Sequence, residues 1–355
     1  MRTPFFFIIA LVVGAAVFGV ALWKGGDYTF YAGYVVLQFI VLATAWNILG
    51  GYCGYVNFGS AAFFAVGAYC SVALHKFDPT KPLELCLSVW IPFTEIGFRA
   101  CSTLNVSFLS PIFPLPIPAL IVFGGLISGI VGLGMGYLTL RLRGAFFAIA
   151  TLALAVVLQT MVVNWDYVGG SRGAYIIRPS ELTFAGIKLG YIQYLFLIMM
   201  LLSVIALTLA RLIERSRLGY GFATIRDDEL AAEACGVPTL RLKLIATTIS
   251  GMLMGMAGAP FPYYIGYLEP GTAFGLSYGV NSIAMPMIGG TTSWVGPLVG
   301  ALIVATLQQW VTVTISSEWG VLIVGLLLIF FVTIAPKGVV GLVQATRRRF
   351  KTGEH

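Results

Sequence analysis

The sequence predicts an all-α polytopic integral membrane protein of about ten transmembrane helices, with broken or re-entrant segments. Of its 355 residues, 59% are hydrophobic and only 10% are charged. Soluble domains carry about a quarter charged residues, and the mean hydropathy here is +0.93. The apolar residues also form separate runs of about 20 residues, the length of a membrane-spanning helix. Backbone polar groups in lipid must be satisfied within the segment, so these runs are predicted to be helical.

Ten apolar runs are predicted to cross the membrane. In chain order they cover residues 5–23, 29–49, 60–75, 116–140, 145–164, 191–211, 243–266, 275–290, 295–315 and 319–335. The first run is too long for a signal-peptide core and lacks a small-residue cleavage site, so we expect it to be retained. The third and eighth runs are short, which is typical of broken or re-entrant segments.

The basic residues predict the orientation of the spans. By the positive-inside rule, Arg141, Arg143, the loop after the sixth span and the C-terminal tail are expected on the cytoplasmic side. Both termini are then cytoplasmic. The chain is predicted to be one transmembrane permease domain, residues 1–355, with an external insert at about 76–115 and a cytoplasmic loop at about 212–242. The net charge of +7 is therefore explained by basic residues that orient the spans in the membrane, and no nucleic-acid partner is expected.

The insert at residues 76–115 combines prolines and scattered charges with apolar side chains. This composition opposes both a span and disorder, and it fits a folded hairpin or an interfacial helix. Cys86 and Cys101 both fall in the insert, and a disulfide between them is one alternative. The other cysteines are predicted to be small apolar fillers: Cys53, Cys70 and Cys235. No cysteine or histidine spacing indicates a metal site.

The longest polar stretch of the chain lies at residues 215–243. Thr224 is predicted to cap a helix of about three turns, with Asp227 completing a capping box. Gly236 stands where a left-handed C-terminal residue is favoured, and Pro238 prevents continuation. The alanines between them favour helix and leave a surface that a partner can approach closely. A helix lying on the membrane surface is the alternative.

The run LAAEACG, residues 230–236, resembles the coupling motif of ABC importer permeases, in which two alanines are followed by a glycine four residues after the second. In that superfamily a glutamate directly precedes the alanines, whereas here Leu230 takes that place and Glu229 lies one residue earlier. The flanking sequence RSRLG…IRDDELAAEACGVPTLRLKL is similar to the branched-chain amino acid permeases of the LivM type. The resemblance covers most of the chain outside residues 76–115.

This resemblance implies that the helix docks into a cleft of a separate ATPase subunit. The residues implied for this coupling are Arg226, Asp227, Asp228, Glu229, Leu230, Ala231, Ala232, Glu233, Ala234 and Gly236. The implied partners are a second homologous permease, two ABC ATPase subunits, an external substrate-binding protein and membrane lipids. ATP and Mg²⁺ belong to the ATPases, because this chain has no GxxxxGK[ST] phosphate loop, and no cofactor is expected in the chain itself. The implied location is a bacterial or archaeal cytoplasmic (inner) membrane.

Two stretches, residues 47–69 and 267–301, interrupt the apolar pattern with glycine and polar residues at membrane depth. Such paired interruptions point to a translocation site, because broken backbone in lipid must be buried in protein or line a water-filled cavity. The predicted path-lining residues are Asn47, Gly51, Asn57, Ser60, Ser277, Asn281 and Ser282. Close packing of helices through small residues is the alternative for each of them.

The predicted spans carry no Asp, Glu, Lys or Arg at depth, which argues against proton coupling. It also argues against tight binding of an amino acid's charged groups, so selection is assigned to the external binding protein. The predicted function is a non-catalytic subunit that forms half of the path for branched-chain amino acids in an ABC importer. Alternatives are an ABC permease for urea or short amides, a sodium-coupled secondary transporter acting alone, and a membrane scaffold.

Overall fold

The computed structural model describes residues 3–24, 26–77, 83–90, 97–104, 115–139, 142, 144–176, 181–184, 187–314, 317–334 and 338–342. Nearly all of this part of the chain outside its connections is helical, which confirms the all-α class. Arg141, Arg143 and the basic residues of the C-terminal tail, from which the orientation was predicted, lie outside the described residues.

The helices follow the predicted spans closely. They are α1 (Thr3–Lys24), α2 (Asp27–Asn47), α3 (Ser60–His75), α4 (Ile117–Thr139), α5 (Ala145–Val163), α6 (Tyr191–Glu214), α7 (Arg217–Asp227), α8 (Glu229–Ala234), α9 (Thr239–Gly258), α10 (Phe261–Ile265), α11 (Pro270–Ala273), α12 (Leu276–Gly289), α13 (Val295–Thr314) and α14 (Ser317–Ile334). Within the described residues, six segments are long and apolar enough to cross a membrane: α2 with the π-helical turn after it, α4, α5, α6, α9 with α10, and α13. The other predicted spans coincide with α1, α3, α12 and α14.

Short strands occur in the connections. They are β1 (Leu83–Trp90), β2 (Gly97–Leu104), β3 (Ala174–Tyr175), β4 (Glu181–Phe184), β5 (Ile187–Gly190) and β6 (Tyr267–Leu268). β1 and β2 pair antiparallel, so the hairpin that was one alternative for the insert is confirmed. β4 and β5 form a second antiparallel pair, and β3 pairs with β6, joining the connection before α6 to the one after α10.

The register of the β1–β2 hairpin places Cys86 directly opposite Cys101. Opposed Cα atoms in antiparallel strands lie about 4.5–5.5 Å apart, a separation that a disulfide bridges. We therefore expect a disulfide in protein isolated without reductant, measured as alkylation of both cysteines only after reduction. In the Cys86→Ser variant Cys101 should be alkylated without reductant. Alkylation of both cysteines in the unreduced parent chain would contradict the prediction.

Helix α2 is central to the bundle, and α6, α9, α12 and α13 pack against it. Its face toward α6 and α10 is aromatic: Phe30 meets Phe196 edge to face at 5.6 Å between ring centroids. Tyr34 stacks on Tyr264 at 4.5 Å. Aromatic pairs of this geometry add to the stabilisation from buried area. The core therefore lies around α2. The first interrupted stretch begins at Asn47, the last residue of α2, and so starts inside this core.

Helices α3, α4 and α9 approach one another at backbone distance. The Ser128 hydroxyl of α4 lies 3.0 Å from the carbonyl oxygen of Phe63 on α3 and 2.8 Å from that of Gly251 on α9. A Cβ placed on Gly67 would overlap the carbonyl oxygen of Gly255. This contact is an instance of the close packing through small residues that was the alternative to path lining.

We expect Gly67→Ala to destabilise the protein by about 1–3 kcal/mol, because α3 and α9 must separate to admit the methyl group. Gly134→Ala on α4 is the matched control. Its added Cβ meets nothing within 4 Å, so it should leave stability unchanged or raise it by up to about 1 kcal/mol through helix propensity. Thermal unfolding in detergent measures both. Equal melting temperatures for the two variants would show that the close contact between α3 and α9 does not contribute to stability.

Among the helices that coincide with predicted spans, two are markedly short. α3 has 16 residues and α12 has 14, and α12 contains Pro286. α3 is preceded by the irregular segment that follows α2, and α12 follows the short helix α11. The first interrupted stretch, residues 47–69, therefore covers the segment before α3 and the beginning of that helix, and the second, residues 267–301, contains all of α12 and the residues on both sides of it.

Candidate functional site

The predicted coupling helix is in fact two helices that meet at Asp228. This residue has an extended backbone, with φ −158° and ψ 111°. Its carboxylate accepts hydrogen bonds from the backbone N–H groups of Leu230, at 2.9 Å, and Ala231, at 3.1 Å. The prediction that Thr224 caps the helix is wrong. Thr224 lies inside α7 with its hydroxyl on the carbonyl of Gly221, and the carboxylate of Asp228 satisfies the free N–H groups of α8 instead.

The C-terminal end of α8 confirms the predicted stop. Gly236 has φ +81°, its N–H donates to the carbonyl of Glu233 at 2.9 Å, and the N–H of Val237 donates to that of Ala232 at 3.0 Å. This pair of bonds is a Schellman motif, which needs a left-handed residue at the position of Gly236. Pro238 follows and prevents continuation. The α8 helix therefore has two defined ends within a ten-residue stretch.

The two faces of α8 differ. Ala232 is buried at 5% exposure against its own chain, whereas Leu230 is 63% exposed. Ala231 and Ala234 are also exposed. The alanines predicted as one small-residue surface are therefore divided: Ala232 packs inward, and the outward surface includes Leu230, Ala231 and Ala234 beside the exposed Glu233. We call these three residues the α8 face.

We call residues 217–236, with α7 and α8, the coupling unit, after the role predicted for them from the sequence. The four acidic residues of the coupling unit have partners within the chain. Asp227 pairs with Arg226 at 3.3 Å on the exposed surface, Asp228 caps α8, and Glu233 accepts a hydrogen bond from the hydroxyl of Thr239 at 2.8 Å. Glu229 is bound most tightly, as described next. The polar residues of the unit thus organise its own structure, and the α8 face between them is apolar.

Glu229 is held in a largely buried triad. One carboxylate oxygen accepts from the Lys243 ammonium at 2.7 Å, with side-chain exposures of 14% and 3%. The other oxygen accepts from the hydroxyl of Tyr55. The ammonium also lies 3.2 Å from that hydroxyl and 4.6 Å from the centre of the tyrosine ring. Tyr55 and Lys243 were absent from the predicted site, because no sequence spacing links residues 188 positions apart.

Glu214, at the end of α6, makes a second junction. Its carboxylate accepts from the hydroxyl of Tyr52 at 3.4 Å and from the backbone N–H of Trp294 at 2.8 Å. Tyr52 lies in the first interrupted stretch and Trp294 in the second. One carboxylate beside the coupling unit therefore contacts both stretches, and sequence analysis did not identify it.

The α2–α3 linker, residues 48–59, contains much of the first stretch. It begins as a π-helical turn, Ile48–Tyr52, and then folds back on α2 through a hydrogen bond from the Trp46 indole to the carbonyl of Asn57 at 2.9 Å. The Asn57 side-chain oxygen accepts from the N–H of Gly59 at 2.8 Å, just before α3. Asn57 is thus buried, with a local structural role.

Apart from Asn57, the predicted path residues are described here as three pairs. Ser60 and Ser282 meet across the two stretches, with 2.9 Å between their hydroxyl oxygens. A Cβ on Gly51 would overlap the side chain of Asn47 and would lie 2.7 Å from the carbonyl oxygen of Thr291. The remaining two differ in exposure: Asn281 is buried and Ser277 is exposed. The structure therefore brings four of the predicted residues to the junction of the stretches.

Buried polar atoms without a hydrogen-bonding partner lie on α2 near this junction. They are the hydroxyl of Thr44 and the amide nitrogen and oxygen of Asn47, with exposures of 0% and 1%. The two residues are three positions apart and share a helix face. Burying such groups without partners costs free energy, so this face is suited to contact with water or a polar solute.

A cavity of about 540 Å³ lies beside the α2–α3 linker. Its lining combines the linker, the start of α5 and the coupling unit: Gly54, Tyr55, Val56, Phe58, Gly144, Ala148 and Glu229. A smaller cavity of about 190 Å³ borders α7 and lies between Tyr52, Glu214 and Arg226. A third, of about 320 Å³, is apolar and lies between α4 and α6. The first two border the residues that join the coupling unit to the interrupted stretches.

The cysteines separate by environment. Cys53 and Cys70 are buried, as predicted for apolar fillers. The prediction is wrong for Cys235, which is exposed because it follows the last residue of α8 on the outer side of the helix.

Comparison with known proteins identifies the family. A family model described as "Branched-chain amino acid transport system / permease component" matches residues 28–332. The high-affinity branched-chain amino acid transport system permease protein LivM of Escherichia coli is 24% identical over 97% of this chain and 76% of its own length. No solved structure matches.

Relatives with other named substrates also match. The ribose import permease protein RbsC of Haemophilus influenzae is 27% identical over 70% of this chain and 75% of its own length. The autoinducer 2 import system permease protein LsrC of an Enterobacter species is 27% identical over 53% of this chain and 58% of its own length. The model match covers most of the chain, including both interrupted stretches and the coupling unit; the chain therefore belongs to the family of permease components of branched-chain amino acid transport systems.

Proposed function

We propose that this chain is the transmembrane permease subunit of an ABC importer and receives motion from an ATPase through α7 and α8. The observation that carries the proposal is the α8 face. Leu230 is exposed at 63%, and the neighbouring small residues Ala231 and Ala234 allow close approach. An exposed leucine on a capped helix whose acidic residues are satisfied internally fits a docking contact better than a solvated loop.

The proposed assembly contains a second homologous permease, two ABC ATPase subunits and a substrate-binding protein, in a bacterial or archaeal inner membrane. ATP and Mg²⁺ would bind the ATPases. The α8 end of the bundle and both termini are proposed to be cytoplasmic, in line with the basic residues near them. Membrane lipids would cover the exposed apolar faces of helices such as α5, where Phe146 is 72% and Ile149 is 65% exposed.

The proposed half-path runs along the junction of the two interrupted stretches. The contact between Ser60 and Ser282 and the unpartnered polar atoms of Asn47 support it. Gly51, Asn57, Ser277 and Asn281 belong to the same proposal through their positions in the stretches. Ser282→Ala should slow uptake without releasing the ATPase, because it removes one neutral polar group and leaves the α8 face intact.

The proposed substrates are branched-chain amino acids. The support is the family description and the match to LivM over nearly the whole chain. Ribose and autoinducer 2 permeases share the family's sequence over shorter parts of the chain, so transported sugars are a specific competing class. Urea and short amides form a further class to be tested.

The test is purification of the tagged chain from its native membranes, followed by ATP hydrolysis with the binding protein and one candidate substrate at a time. We expect ATPases and a second permease to co-purify, and leucine, isoleucine or valine to raise hydrolysis through the binding protein. Stimulation by ribose or urea instead would change the substrate and keep the importer. A chain that carries out sodium-driven uptake alone, with no bound ATPase, would overturn the proposal.

A further inference from the structure

Two carboxylates, one before α7 and one in α8, each accept a hydrogen bond from a tyrosine of the α2–α3 linker. Glu229 accepts from Tyr55 and Glu214 accepts from Tyr52. The two tyrosines are three residues apart, and the two glutamates lie on either side of α7. The linker is thus bound at both ends of α7, within the segment proposed to move with the ATPase.

The contact at Tyr55 resists separation. The tyrosine is 8% exposed, and the Lys243 ammonium lies within 3.2 Å of its hydroxyl and 2.7 Å of the Glu229 carboxylate. Moving Glu229 away from this pair would leave a buried charge without its partner, which is strongly unfavourable. The lower-energy response to a displacement of α8 is for Tyr55 to move with it.

The contact at Glu214 extends to the second stretch. The same carboxylate accepts from the N–H of Trp294, between α12 and α13, at 2.8 Å. Tyr52 ends the π-helical turn that follows Asn47. A displacement at the end of α6 therefore reaches both interrupted stretches through one side chain.

We infer that Tyr52 and Tyr55 are the positioning residues that transmit motion of the coupling unit to the translocation path. In this inference, motion of the coupling unit displaces the α2–α3 linker. Tyr55 and Phe58 line the cavity of about 540 Å³ between the linker, α5 and Glu229, so displacing the linker changes the shape of that opening. The inference rests on the proposed function, and it assigns to these tyrosines a role in coupling rather than in docking.

The test uses Tyr55→Phe and Tyr52→Phe in the complete complex, reconstituted in proteoliposomes. Each variant removes one hydroxyl and keeps the Glu229–Lys243 ion pair. Tyr28→Phe is the matched control, since Tyr28 lies at the other end of α2 and is 54% exposed. The readouts are co-purification of the ATPase, ATP hydrolysis, and leucine transported per ATP hydrolysed.

We expect both linker variants to retain the ATPase and to hydrolyse ATP, while substrate transported per ATP falls about tenfold, the scale set by a hydrogen bond to a charged group. The double variant Tyr55→Phe/Glu229→Gln should transport no less substrate per ATP than Glu229→Gln alone, because Glu229→Gln already removes the charge that strengthens the contact with Tyr55. Tyr28→Phe should match the parent chain in all three readouts.

Parent-like transport per ATP in both linker variants would overturn the inference. Equal losses in Tyr28→Phe would do the same, since the effect would then not belong to the linker. Failure of the proposed function gives a different result, in which the parent chain itself binds no ATPase. Loss of the ATPase in the linker variants would place the tyrosines in docking and would also overturn the inference.

Discussion

Ala231→Arg is expected to abolish ATP-driven uptake while the chain stays folded and inserted. Ala231 lies on the exposed α8 face, so a long charged side chain there meets no part of its own bundle. In the proposed complex the same side chain would occupy the contact with the ATPase. An unpaired charge in such a contact costs several kcal/mol, and each 1.4 kcal/mol weakens binding about tenfold. Co-purification of the ATPase with the tagged chain is the measurement.

Ala232→Arg is the informative comparison. Ala232 is only 5% exposed and packs inward, so arginine there should lower the melting temperature of the permease itself. Ser171→Arg, at an exposed position in the connection between α5 and α6, controls for added charge away from α8. Normal uptake by the Ala231→Arg variant would contradict docking through the α8 face. A lowered melting temperature in that variant would contradict the assignment of the two faces.

Lys243→Met is expected to destabilise the protein by about 3–5 kcal/mol, because it leaves the Glu229 carboxylate in a buried site without its cation. Methionine fills a similar volume, so the loss belongs to the charge and not to a cavity. The Lys243 side chain is 3% exposed, and solvent therefore offers little compensation. Thermal or denaturant unfolding in detergent measures the effect.

The double variant Glu229→Gln/Lys243→Met should recover most of that stability, since removing both members of a buried ion pair is often close to neutral. Lys76→Met controls for the loss of a positive charge elsewhere in the chain. Lys76 follows the last residue of α3, at the opposite end of that helix from Ser60. If Lys243→Met and the Lys76→Met control have the same free energy of unfolding, the triad does not stabilise the protein. If the double variant is no more stable than Lys243→Met, the unpaired charge of Glu229 is not the cause of the destabilisation.

The fold was predictable because its main signal is local. Runs of apolar residues mark membrane helices independently of what they contact, and the predicted ends of α2, α3, α6 and α12 lie within a few residues of the observed ones. The boundary at Asp228 was not predictable in the same way. Thr224 and Asp228 are both good capping residues, and the choice between them depends on how α7 packs on the linker, where Gly54 contacts Arg226.

The candidate site was predictable only in part. The motif identified the stretch and the stop at Gly236, but a run of three alanines and two glutamates does not show which of them faces inward. The inward face is set by Lys243 and Tyr55, which bind Glu229 from α9 and from the linker. These partners are distant in sequence and of common residue types, so no spacing rule finds them. The paired interruptions identified Ser60 and Ser282 as candidate path residues, but the contact between them is known only from the structure.

The shortness of α12 has a consequence for how the chain enters the membrane. Its 14 residues extend about 21 Å at 1.5 Å per residue, less than the hydrocarbon thickness of about 30 Å, and they include Asn281 and Pro286. Such a segment partitions poorly into lipid when it emerges from the ribosome alone. α13 follows after five residues and packs directly on it. We expect the two helices to be inserted as a pair, so that a nascent chain ending after α12 leaves that segment accessible to water and one ending after α13 does not.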